Sequence, residues 1–385
     1  MDRLTRTIEI LETLIAFPTI STDSNQACVE WILNYLEPLG AKCLVTSDTP
    51  GKANIFATIG PDVEGGLILS GHLDVVPVAG QKWSSKPFVL REEAGFLYGR
   101  GTCDMKGFIA ACLTLAPEFA AADLARPVHF AFTYDEETGC AGARVLVDEM
   151  VKAGWRPSAA IIGEPSSMRI IEGHKGCCEY TVEFTGVEGH SSLPDLGVNA
   201  LEYASKYVSE LMRLRHELPA RAPVGSRFDP YYSTVQVCML NSGIAHNVIP
   251  NKASVGWEMR PVQKSDLDYV RSEIAKFAAN VLLPEMQAKS PEAGIEETFS
   301  SEVVGLEPES ESIAAALVRH LTGGNEMDVV SFGTEAGLFQ MAGVSAVICG
   351  PGSIEQAHKP DEFVSREQLS ACLDMLSRVA GSLSK

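Results

Sequence analysis

The sequence has no C-x-x-C pair, no block of lysines and arginines, and no apolar run long enough to cross a bilayer. Its ten cysteines are scattered, with only Cys177 and Cys178 adjacent, a pattern of reduced thiols used mostly as small core residues. Positive charge is scarce: 31 Lys and Arg face 50 Asp and Glu, a net charge of −19 that repels phosphate backbones. No nucleic-acid partner is expected. The longest apolar run, around residues 108–117, is too short for a span, so no membrane partner is expected either. Acids lie among Leu4, Ile8, Leu11 and Ile15, whose spacing marks an amphipathic helix of a folded domain rather than a signal peptide. A cytoplasmic location is the expectation. G-x-S-x-G and H-E-x-x-H are missing, which removes the common serine-hydrolase and single-zinc peptidase signatures. GRGTCD lacks the third glycine of a dinucleotide fingerprint.

What is present is ordinary globular composition, 45% hydrophobic and 21% charged, in 385 residues, more than one core usually organises. Short apolar runs at 67–72, 128–134, 159–164 and 345–350 alternate with helix-like segments at 107–121 and 141–154. Continuous apolar strands between helices predict an α/β domain with a largely parallel sheet. From about Cys178 the pattern changes to strand, helix, two strands, helix and strand, a βαββαβ order. The expected organisation is a discontinuous α/β domain, 1–177 and 299–385, with an α+β domain inserted at 178–298.

Acids and histidines follow the buried runs. His72 and Asp74 come after LILSG, Asp135, Glu136 and Glu137 after VHFAFTY, Glu164 after AAIIG, and His358 after SAVICG. Asp104 stands at the start of the next helix, where the helix dipole favours an anion. In open α/β sheets ligands bind at the carboxyl ends of the strands, so these segments converge on one edge. Two histidines with several carboxylates suit Zn2+ or similar divalent ions. Five ligating groups are too many for one tetrahedral catalytic zinc and suit two metals sharing a carboxylate and a water. A non-ligating acid is then free to act as general base.

The segments SGHLDVVP, GRGTCDMKG, DEETGCAGA, IIGEP, EGHSS and GPGSIEQAHKPDE resemble, in order, the co-catalytic metallopeptidase family. That family includes deacetylases of acetylornithine, succinyl-diaminopimelate desuccinylases, aminoacylases and carboxypeptidases, and its lid falls where the insertion lies here. The resemblance implies that Asp104 bridges two metals, with His72 and Glu164 completing one site and Glu137 and His358 the other. Zn2+ is the implied ion and Co2+ a substitute. Asp74 would orient His72 through its far ring nitrogen, and Glu136 would be the general base. His190 of the inserted domain would stabilise the oxyanion, reaching across a homodimer interface. Asn247 and Arg260 would hold the substrate carboxylate, a task that suits the bidentate fork of arginine.

GTEAGLFQ followed by GPGSIEQAHKPDEF is most similar to the ornithine-deacetylating members. The implied substrate is therefore N2-acetyl-L-ornithine, and the implied role arginine biosynthesis. Desuccinylation of succinyl-diaminopimelate and broad deacylation of N-acyl amino acids are the alternatives. A catalytically silent binder of amino-acid derivatives is a third. Glu335 carries two readings: a contact for the cationic side-chain amine of the substrate, or an acid at a helix start. Arg260 is open between a carboxylate holder and a surface ion pair, and His190 between an oxyanion donor and a strand-end surface histidine.

Overall fold

The computed structural model describes residues 2–384. The chain divides into two compact units, Met1–Gly173 with Pro308–Val329 and Thr334–Lys385, and His174–Glu307 with Val330–Gly333. The first is built on an eight-stranded sheet. Its strands lie in the order Lys42–Thr46, Asn54–Ile59, Val128–Thr133, Leu67–His72, Ala159–Pro165, Ser345–Gly350, Ile170–His174 and Met327–Val330. The four from Val128–Thr133 to Ser345–Gly350 run parallel to one another. Antiparallel strands Lys42–Thr46 and Asn54–Ile59 extend one side. Every residue of the four parallel strands is buried, which is why they read as unbroken apolar runs rather than alternating ones.

Helix Lys106–Ala121 packs into this sheet with almost no solvent face. Its approach depends on Gly163, where a Cβ would sit 1.9 Å from the Phe108 ring. Helix Arg3–Ile15, capped by Asp2 on the amide of Thr5, lies against it through a Thr7–Thr114 hydroxyl contact at 2.9 Å. Buried Lys106 donates to the carbonyls of Leu14 and Phe17 at 3.1 and 2.9 Å, tying the C-terminal end of that helix to the start of its neighbour.

The second unit has the βαββαβ order. Its antiparallel sheet runs Thr234–Ser242, Lys252–Arg260, Cys177–Thr185 and Gly294–Val303, and its main helices are Ala200–Arg221 and Lys264–Phe277. Burial alternates along Cys177–Thr185, so one face is apolar, and Tyr180, Val182 and Phe184 join Leu211, Leu214 and Trp257 in a core of its own. The sequence reading closes the insertion at 298. The last strand stays paired with its neighbour as far as Val303, and the unit runs from His174 to Glu307.

Candidate metal centre

All four parallel strands deliver polar residues at their carboxyl ends, as open α/β sheets require of a ligand site. His72 ends its strand opposite Thr133, Glu164 lies near the end of Ala159–Pro165, and Asp135–Glu137 follow Val128–Thr133. His358 sits in the loop after Ser345–Gly350, and Asp104 stands two residues before its helix. His72 Nε2 is 2.9 Å from Asp104 Oδ1 and 3.7 Å from Glu164 Oε1. His358 Nε2 is 3.3 Å from the other oxygen of Asp104 and 2.9 Å from Glu137 Oε2. Asp104 thus faces one histidine with each oxygen. His72, Glu136 and Glu164, and likewise His72, Asp104 and Glu137, bring ligand atoms within 4.8 Å of one another.

The three consecutive acids separate by partner. Asp135, whose backbone lies in the left-handed region (φ 52°), accepts from the buried Lys52 ammonium at 2.7 Å. Glu137 meets His358, and among the described residues Glu136 accepts only the weak Cys140 thiol at 3.5 Å. Asp74 aims this loop: its carboxylate accepts from the amides of Glu136 and Glu137 at 3.0 and 3.3 Å and from the Ser21 hydroxyl at 2.7 Å. Its hold on His72 is chiefly through the main chain. His72 Nδ1 is 2.9 Å from the Asp74 carbonyl and 3.5 Å from its carboxylate.

Two further residues of the site are absent from the sequence reading. Glu362 accepts from Arg100 Nη1 at 2.7 Å and from the amides of Gly101, Cys103 and Asp104 at 3.0, 2.9 and 3.1 Å. Arg100 and Glu362 are each 1% exposed. Both lie inside quoted motifs, GRGTCDMKG and AHKPDE, but neither spacing nor residue type marks them as partners.

The electrostatics are those of crowded, buried acids. Burial pushes Glu136, Glu137 and Glu164 above the usual carboxyl range, and the charge of Asp104 adds to this. Asp104 stays well below that range despite its burial, because His358 and His72 both bond to it. Hydrogen bonds to Asp104 and Glu137 push His358 up to about 10. Such a set fits divalent cations by its chemistry, since two imidazoles and three buried carboxylates offer N and O donors whose charge needs neutralising.

The remaining candidates are placed differently. His190 and Asn247 lie in the second unit, His190 at the end of the short strand Gly189–His190 and Asn247 in the turn just before its partner Val248–Ile249, with Ser191 N donating to Asn247 O at 3.1 Å. Both side chains are exposed, and His190 Nδ1 contacts the Ser192 hydroxyl at 2.8 Å. Arg260, also in that unit, is a third exposed and donates to Glu258 at 3.1 Å. Glu335 belongs to the first unit. It is 1% exposed, and its two oxygens accept from Ser70 at 2.5 Å and Thr133 at 2.7 Å, beneath the strand ends that carry His72 and Asp135.

This sheet, insertion and ligand cluster define a metallopeptidase-type hydrolase, and the comparisons agree. The pattern of Peptidase family M20/M25/M40 matches residues 68–382, and the chain belongs to that family. Acetylornithine deacetylase of Proteus mirabilis is 35% identical over 380 residues, 97% of this chain and 95% of its own. Among solved structures, aminopeptidase PepT from Bacillus cereus aligns with a TM-score of 0.74 at 15% identity, covering 99% of each chain. YXEP from Bacillus subtilis, a dinuclear metal binding peptidase, aligns at 0.67 and 18% identity over 98% of this chain and 97% of its own. At these identities the two structures share the fold. No helix among the described residues is long and apolar enough to cross a membrane.

Proposed function

We propose that this hydrolase removes the acetyl group from N2-acetyl-L-ornithine, giving L-ornithine and acetate in arginine biosynthesis. The observation that carries the reading is the cluster at the strand ends, joined to 35% identity with an acetylornithine deacetylase over almost the whole chain. His72, Asp104 and Glu164 would hold one divalent ion, and Asp104, Glu137 and His358 a second, Zn2+ first and Co2+ as a substitute. Bound, such ions polarise an amide carbonyl and make water a nucleophile near neutral pH. Glu136 has no strong partner of its own, and its raised basicity suits it to take a proton from the attacking water and give it to the leaving amine. Asp74 keeps Glu136 and Glu137 in register by holding their amides. His190 is assigned to the oxyanion, and Asn247 and Arg260 to the substrate carboxylate, with the second unit serving as lid and homodimerisation domain of a cytoplasmic enzyme.

Metal-stripped protein resupplied with Zn2+ or Co2+ tests this on N-acetyl-ornithine, N-acetyl-methionine and N-succinyl-diaminopimelate. Metal-dependent turnover with a clear preference for N-acetyl-ornithine is expected. A preference for another member keeps the chemistry and overturns the substrate. Two bound metals without turnover of any of them would favour a silent binder.

A further inference from the structure

We propose that the buried Arg100–Glu362 pair is a positioning device that sets the spacing of the two loops carrying Asp104 and His358. It rests on the reading that these two residues ligate metal. All four donors to Glu362 come from residues 100–104, the segment that delivers Asp104, and they occupy both of its oxygens. Gly101 holds a left-handed backbone (φ 84°) that lets these amides converge, and Glu362 itself lies four residues after His358.

The same guanidinium reaches the other loop. Arg100 Nη1 also contacts the Lys359 carbonyl at 3.3 Å, and Nη2 donates to Gln81 Oε1 at 2.7 Å. Gln81 Nε2 in turn donates to the His358 carbonyl at 2.8 Å. An unbroken chain of polar contacts therefore runs from the Asp104 amide to the His358 carbonyl. His358 needs such support, because its side chain is 55% exposed and its backbone sits in the left-handed region (φ 62°). Packing cannot hold an exposed ligand, so the backbone must be held instead.

The arrangement specifies a carboxylate at 362. A glutamine has one oxygen, and its amide nitrogen would face either the Gly101 amide and Arg100 or the amides of Cys103 and Asp104, donor against donor. Removing one partner of a buried ion pair also destabilises folds in general, so stability alone says little. The discriminating readout is which metal site weakens.

Metal-free wild type, Glu362→Gln, Gln81→Ala and His358→Ala would be titrated with Co2+, followed by calorimetry and by the visible ligand-field spectrum. Circular dichroism in chelator would report the fold. Wild type should bind two ions. Glu362→Gln should lose roughly tenfold to a hundredfold in affinity at the site that His358→Ala also weakens, the usual scale for groups that orient ligands. The other site, which shares Asp104, should lose distinctly less. Gln81 is half-exposed, so Gln81→Ala should fold normally and show a smaller loss at the same site. Equal weakening of both sites, or wild-type binding by Gln81→Ala and Glu362→Gln, would overturn the proposal. A wild type that binds no metal would instead overturn the metal-site reading beneath it.

Discussion

The two units hold most of their candidate site residues differently. In the first, Asp74, Asp104, Glu164, Glu335 and Glu362 are all at most 5% exposed, and hydrogen bonds or ion pairs hold each of them. In the second, His190 and Asn247 are exposed and Arg260 is tied to Glu258, two residues away on its own strand. Charge is expensive to bury, so the first unit gives each of these five acids a partner. The second holds its candidates in water at little cost and with little orientation.

The largest effect should follow from removing Glu136, the acid proposed as general base. Glu136→Ala should lower kcat by roughly 10²–10⁴-fold or more while metal content stays near that of wild type. Metal analysis beside steady-state kinetics checks this. Loss of metal together with activity would mean that Glu136 ligates and Glu137 serves as base.

A smaller loss is expected on the exposed side. His190→Ala should reduce kcat by about 10²–10³-fold, the usual scale for one oxyanion donor, with little change in metal stoichiometry. Mixing inactive Glu136→Ala and His190→Ala chains sharpens the comparison. Activity regained on mixing would show that the histidine comes from a second chain, and an inert mixture would assign it to its own. Wild-type turnover by His190→Ala would leave this histidine a strand-end surface residue.

Much of the first unit was legible in the sequence because its central strands are buried on both faces and leave continuous apolar runs, three leading directly into an acid or histidine and the fourth into the loop that carries His358. The strands at its margins were not. Lys42–Thr46 has only one buried residue, and Ile170–His174 carries Glu172 within an apolar run, so neither shows a clean period. The members of the cluster were legible by their joint placement at strand ends. The support beneath it was not, since Glu362 and Arg100 find each other across 262 residues and nothing in either local pattern announces a partner. Glu335 shows the converse. A helix-start acid in a quoted motif invites a functional reading, whereas its depth is set by Ser70 and Thr133, on two other strands.

That depth leads to the smallest predicted effect. A contact with a substrate amine would require an open, charged carboxylate, but the Glu335 carboxyl is pushed up by burial and both its oxygens are already taken by hydroxyls. In Glu335→Gln one oxygen still accepts, and the new amide faces a hydroxyl that can rotate to become the acceptor. Exchanging one hydrogen bond for another should change kcat/KM by roughly threefold or less. The change should be the same for N-acetyl-ornithine and N-acetyl-methionine, because the residue acts through the strand ends and not through the substrate side chain. Parallel kinetics on the two substrates decide it. A rise in KM confined to the cationic substrate would place Glu335 at the amine after all, and would require the Ser70 and Thr133 bonds to open when substrate binds.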